Sequence, residues 1–440
     1  MIVLLPHVGF LSETTRMLAI HDALQTRGVE ACLATHGGTY EHVLRDAGVS
    51  FDVLEPRLDA ARCAEFIRQL PGIAPRPGPS FSVDELRALA RAEAAYLRAQ
   101  KARAVVTGFT LSALLSSRLA GVPLIAEHGG SFMPPMAERG LFPVPTRSPI
   151  PLAGFLPKAL QRWLANQGPV RVRGFTDALD QVARELGVEG VPTLAALLMG
   201  DLTLVTDVPE MTGVPREELE RWTPKEPRHY RKDPVLRYVG PLYAELDLPI
   251  PDEVERFLAA EGPVVYVAIT SAPRDLVADV VRAVEAAGVR VLVAATVHAL
   301  EHLRSPRVCV AGVLPSHRIF PRVALGVIAG GQGSVQTALA AGCPFVGLPL
   351  QPEQEWNVAT AERRGAAVRL SEKQGRGPAL TAAVRDLLDR PAARAAAAEI
   401  AAIFAGIDGP ARCAEAIVEY LDARAPLRGR AAADGAASSA

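Results

Sequence analysis

Gly330, Gly331 and Gly333 surround Gln332, directly after the apolar run Leu325-Gly326-Val327-Ile328 and directly before a helical stretch from Ser334 to Ala341. Glycines at such a place let the backbone approach a ligand and adopt positive φ. The unpaired N–H groups of the first helical turn, with the helix dipole behind them, favour an anion there. The Ser334 hydroxyl adds a donor. About one βα unit later, Glu353, Gln354 and Asn357 follow Gly347-Leu348-Pro349-Leu350. A carboxylate beside a primary amide can hold two adjacent sugar hydroxyls. Each motif also has a plain structural alternative: a tight turn for the glycines, and service to the helix dipole for the acids. The glycine segment matches neither the dinucleotide fingerprint nor the P-loop. Thr270 and Ser271, after another apolar run, can offer hydroxyls to a phosphate or cap their own loop.

These groups need an α/β frame, and the sequence supplies one. Short apolar runs at 2–6, 31–35, 104–106 and 123–126 alternate with helical patterns such as Met17, Leu18, Ile20, Ala23 and Leu24. That rhythm predicts a parallel sheet covered on both faces. A second series runs through 263–268, 291–294, 308–310, 325–328 and 345–348. With 440 residues, two doubly wound domains are expected: 1–240 and 254–409, joined by a Pro-punctuated linker at 241–253. A helix at 410–425 and a disordered Ala/Gly/Ser-rich tail at 426–440 complete the expectation. Two Pro-rich apolar segments, 71–81 and 129–157, interrupt the rhythm. Their prolines argue against regular helix, so they are expected to be binding loops.

Composition narrows the function. Apolar residues make up 49% of the chain and the net charge is -1, which argues for a folded protein and against a nucleic-acid partner. The five cysteines form no metal-ligand pair in sequence and suggest buried thiols in a reducing compartment. No metal site is expected. No apolar run is long enough for a membrane span, and the N-terminus reads as a strand rather than a signal peptide. A cytoplasmic location is expected.

The run AGGQGSVQTALAAGCPFVGLPLQPEQEWNVATAERRGAA resembles the donor-binding segment of the UDP-glycosyltransferase-like family. These are inverting GT-B enzymes with two Rossmann-like domains facing across a cleft, including many bacterial natural-product enzymes. The similarity is closest over 312–370 and weaker over 1–35 and 100–127. The resemblance implies an acceptor-binding first domain and a nucleotide-sugar-binding second domain. It implies that Gly331, Gln332, Gly333 and Ser334 bind a diphosphate; Gly330 belongs to the same turn, and Thr270 and Ser271 could add hydroxyls or only cap their loop. It places Val313, Leu314 and Thr337 at the nucleoside and Glu353, Gln354 and Asn357 at the sugar. The helix at 410–425 would cross back to the first domain. No cofactor is implied; the co-substrate would be a UDP- or dTDP-linked sugar, and the acceptor a small or apolar, natural-product-like molecule. Two departures stand out: Ala329 replaces the family's His before the glycines, and Thr337 replaces a Glu.

Inverting transfer requires a base for the acceptor's proton. Where the family places His, this chain has Glu13. Glu13, His7 and His128 are the candidates, each at the end of a predicted strand or the start of a helix. A carboxylate in a first helical turn is expected to be held in its charged form. The rival functions are a catalytically silent GT-B-like partner protein and a nucleotide-sugar epimerase or hydrolase.

Overall fold

The computed structural model describes residues 1–69, 81–146, 153–171, 175–269, 272–295 and 298–437, and side chains as far as residue 424. Thr270, Ser271, most of the 71–81 loop, part of the 129–157 loop and the side chains of the tail expected at 426–440 lie outside the described residues.

Seven parallel strands form the first sheet: β1 (Ile2–Leu4), β2 (Ala31–Thr35), β3 (Phe51–Val53), β4 (Ala104–Thr107), β5 (Leu124–His128), β6 (Leu202–Val205) and β7 (Val235–Tyr238), in the order 3-2-1-4-5-6-7. Six more form the second: β8 (Val264–Ala268), β9 (Arg290–Ala294), β10 (Val308–Ala311), β11 (Leu325–Ile328), β12 (Phe345–Gly347) and β13 (Ala367–Arg369), in the order 10-9-8-11-12-13. Both orders reverse beside the first strand of their sheet, between β1 and β4 and between β8 and β11. Such a reversal opens a crevice at the carboxyl ends of the strands.

The central strands are apolar and buried on both faces, as parallel strands under helices must be. Val264, Val265, Tyr266 and Val267 are all buried, as are Leu325, Val327 and Ile328. Gly326 and Gly347 bring neighbours close: a Cβ on Gly326 would lie 2.9 Å from the Phe320 ring, and one on Gly347 would lie 2.4 Å from Val358. The last helix, Gly409–Ala437, buries Cys413, Ala414, Ile417, Tyr420 and Leu421 in one cluster with Ile2, Leu4, Met17 and Ile20 of the first sheet and its first helix.

The segment 129–157 departs from expectation. Pro134 and Pro135 open a short helix, Pro134–Glu138, instead of preventing one. Proline at the first helical positions loses no hydrogen bond and has a suitable φ. Beyond it, Phe142 packs 4.9 Å from the ring of Trp356. Trp356 belongs in sequence to the second sheet's half, yet it is fully buried within the first half's core. Thr146 donates from its N–H to Glu355 at 2.6 Å, and its hydroxyl donates to the same oxygen, while Arg369 holds the other oxygen at 2.8 Å. The two halves therefore meet along their carboxyl edges through a packed, hydrogen-bonded seam.

Candidate active site

Glu13 lies in the first turn of the helix Leu11–Thr26, over the reversal point of the first sheet. Its Oε1 accepts N–H bonds from His7 at 3.1 Å, Gly108 at 3.2 Å and Phe109 at 2.7 Å. His7 follows β1, and Gly108 and Phe109 follow β4, so the crevice between these strands grips one carboxylate oxygen. A Cβ on Gly108 would come within 3.0 Å of the Glu13 side chain, so glycine makes room for it. Oε2 is buried with no partner among the described residues. The expectation of a fully charged carboxylate fails here. Burial raises the Glu13 carboxyl to about 7, against the N–H donors of Phe109 and His7 and the charge of Arg16, which pull it down. Desolvation outweighs the helix dipole because the group is 2% exposed.

His7 faces the other way. Its Nδ1 accepts the N–H of Gly9 at 3.2 Å, and its ring stacks on Phe66 at 4.6 Å. Burial pushes the imidazole down to about 4, so it is neutral at physiological pH. It lines a narrow crevice with about 10 Å³ of free space, shared with His36, Leu58, Phe81, Leu89 and Leu111. His128, the last residue of β5, donates from Nδ1 to the Gly129 carbonyl at 3.0 Å. Of the three candidates, Glu13 sits at the reversal point, His7 lines the apolar cleft beside it, and His128 borders the seam.

In the second sheet, β11 runs into Gly330, whose φ of +94° suits glycine. A Cβ there would strike Val358 at 2.5 Å. Gly331 caps the helix Gln332–Ala340. A Cβ on Gly331 or on Gly333 meets nothing within 4 Å, so the space over the helix N-terminus is open. Ser334 is exposed beside it.

The amides named in the sequence make protein contacts. Gln332 Nε2 reaches across the seam to Thr206, 2.9 Å from the carbonyl and 2.7 Å from Oγ1. Gln336 donates to the same carbonyl at 2.6 Å and accepts the Leu242 N–H at 3.0 Å. Asn357 donates to the Gly330 carbonyl and to Glu353, at 3.0 and 2.8 Å, and so fixes the glycine turn to the acid. Glu353 Oε1 also accepts the Gln332 N–H at 3.3 Å. Gln354 Oε1 accepts from Leu350, at 2.8 Å. Thr337 donates within its own helix to Gly333 at 2.7 Å. Val313 is half exposed and Leu314 is buried. Among the described residues, no group of three or more His, Cys, Asp or Glu is placed to hold a metal ion.

Sequence reasoning passed over Arg16, Glu127 and Thr206. Arg16 Nε donates to Glu127 Oε2 at 2.7 Å, and Thr206 Oγ1 donates to Glu127 Oε1 at 2.9 Å. Thr206 in turn accepts from Gln332, so a hydrogen-bonded chain runs from the first helix to the glycine turn. Only the tertiary fold brings these three segments together; in sequence, Glu127 reads as one more strand-end residue.

Residues 275–420 match the family model described as "Erythromycin biosynthesis protein CIII-like, C-terminal domain". A "PGL/p-HBAD biosynthesis glycosyltransferase" of Mycobacterium tuberculosis is 30% identical over 305 residues, 68% of this chain and 66% of that protein. The chain thus spans just under two thirds of that relative's length. The solved structure of the glycosyltransferase VinC in complex with dTDP aligns with a TM-score of 0.64 at 16% identity, covering 96% of this chain and 100% of that one. The spinosyn rhamnosyltransferase SpnG complexed with spinosyn aglycone aligns with a TM-score of 0.57 at 18% identity, covering 96% and 100%. At these identities the structures speak for the fold alone. The chain carries an EryCIII-like C-terminal domain over 275–420, has the fold of the GT-B glycosyltransferase structures it matches, and is related in sequence to biosynthetic glycosyltransferases.

Proposed function

We propose that this protein transfers a sugar from a nucleoside diphosphate to a hydroxyl of a small apolar acceptor, with inversion at the anomeric carbon. The carrying observation is the pair of reversal points. One holds a buried carboxyl with a free oxygen, and the other presents an open helix N-terminus. In this reading the acceptor approaches Glu13 past the apolar side chains around His7, Phe81, Leu89 and Leu111, which part to admit it. Its hydroxyl supplies the hydrogen-bond partner that Glu13 Oε2 lacks.

Glu13 then takes the acceptor's proton as the acceptor oxygen attacks the anomeric carbon. The bond from that carbon to the diphosphate oxygen breaks, and its electron pair leaves with the diphosphate. The N–H groups of Gly333 and Ser334 and the Ser334 hydroxyl receive the developing charge. A base titrating near 7 is matched to neutral pH. Glu353, held by Asn357 on one oxygen, offers the other to a sugar hydroxyl. The dTDP in one structural neighbour favours a dTDP-linked donor, with UDP as the alternative nucleotide. The five unpaired cysteines suit a reducing cytoplasm.

The test is incubation of the full chain with dTDP- and UDP-linked hexoses and a panel of small apolar alcohols and phenols. Nucleoside diphosphate release and product configuration are followed by NMR. Acceptor-dependent release with inverted configuration is expected. Release that ignores the acceptor, or retained configuration, contradicts the proposal.

A further inference from the structure

The proposed donor site has a charge problem. The segments 329–337 and 350–357 contain no Lys, Arg or His, while Glu353 and Glu355 lie within them. A helix N-terminus offers the equivalent of about half a positive charge. A diphosphate carries at least two negative ones. The arginines that follow in the second half are engaged elsewhere: Arg369 is bound to Glu355 and Val144, and Arg363 to the carbonyls of Leu141, Met211 and Thr212.

Arg16 lies across the seam. It is one helical turn beyond Glu13, on the same face, and its side chain is 14% exposed. Nε is fixed by Glu127, which Thr206 holds in turn, and Thr206 accepts from Gln332 at the start of the donor helix. Three hydrogen bonds therefore tie the guanidinium to the glycine turn. The charges acting on Arg16 include those of Glu13 and Glu353 as well as Glu127. Its two Nη groups bond to no described residue, and neither is among the buried polar atoms without partners. Neither is fully enclosed, so both can meet a ligand.

We propose that Arg16 is the cation for the donor's diphosphate, supplied by the first domain to a helix N-terminus of the second. The inference rests on the donor-site reading above. Its Nη–H groups donate to the diphosphate oxygen that receives the electron pair when the glycosidic bond breaks, and Glu127 aims them. Charge and base are thus carried on a single helix turn, Glu13 to Arg16. The diphosphate in turn bridges the two halves, so that donor binding draws the seam together.

The test compares dTDP with dTMP, and UDP with UMP, by calorimetric titration of the wild type and of Arg16→Met combined with Glu127→Gln. The second substitution avoids leaving a buried unpaired carboxylate. The expected result is a loss of about ten- to a hundredfold in diphosphate affinity, the range for a charge-assisted hydrogen bond, with monophosphate affinity held. Arg16→Lys should retain part of the diphosphate preference. A change by one common factor for diphosphate and monophosphate, including no change, would overturn the inference and leave the donor site standing. Absence of diphosphate binding by the wild type would overturn the inference together with the donor-site reading.

Discussion

The two sheets share one strand order and use its reversal point in opposite ways. In the first, the crevice between β1 and β4 is filled from within: three backbone N–H groups converge on the Glu13 carboxylate, which is buried. In the second, the turn after β11 is glycine-lined and open over Gly331 and Gly333. The same topology makes an anion pocket twice. One pocket is occupied by the chain's own acid, the proposed base, and the other is open. The contrast separates chemistry from binding, and substitutions on either side should separate them in experiment.

The largest effect is expected at Glu13. Glu13→Gln keeps the oxygen held by three N–H groups but cannot accept a proton. Transfer should fall by about 10²–10⁴-fold, the usual range for a general base, with dTDP affinity unchanged. Wild-type kcat/KM should rise with pH through about 7. On the open side, Gly333→Asp puts a carboxylate at the anion site without a steric clash. Diphosphate affinity should drop about a hundredfold or more with little change in Tm. Gly330→Ala should do the reverse first: positive φ and the 2.5 Å approach to Val358 should cost roughly 2–4 kcal/mol of stability, read by denaturant unfolding.

A further prediction concerns stability against pH. Folding raises the Glu13 carboxyl from an ordinary 4.5 to about 7. Folding therefore favours its protonated form, an advantage complete below about 4.5 and lost as pH rises through 7. Glu13→Gln should accordingly match the wild type at pH 4 and exceed it by roughly 3 kcal/mol at pH 8. A gain in stability joined to a loss of transfer would mark the acid as held for function. The smallest effect is expected at the seam: Gln332→Ala removes the bonds to Thr206 and should cost about 1–2 kcal/mol, with donor affinity falling less than for Gly333→Asp.

Much of this frame is legible in the sequence. Buried strands such as Val264–Ala268 and Leu325–Ile328 are continuous apolar runs flanked by glycine, and the glycine turn after β11 announces itself. The edge strands β3 and β13 do not. β3 carries Asp52 and is partly exposed, and β13 is three residues ending in Arg369, so neither has an apolar signature. The position of Glu13 is readable as a helix start, but its protonation is not, because burial depends on β4 and its loop ninety residues away. The roles of Gln332, Thr337 and Asn357 follow the same logic. Their types suit a ligand, yet in the fold their side chains meet Thr206, Gly333, Gly330 and Glu353. Trp356 is the tryptophan that joins the halves, a role its place in the sequence between Glu355 and Asn357 does not announce.

One titration bears most directly on the division between the two reversal points: dTDP into wild type, Glu13→Gln and Gly333→Asp, side by side at pH 7.5. The account predicts equal affinity for the wild type and Glu13→Gln, and binding lost in Gly333→Asp. Binding by Gly333→Asp at wild-type strength, or its loss in Glu13→Gln, would contradict it.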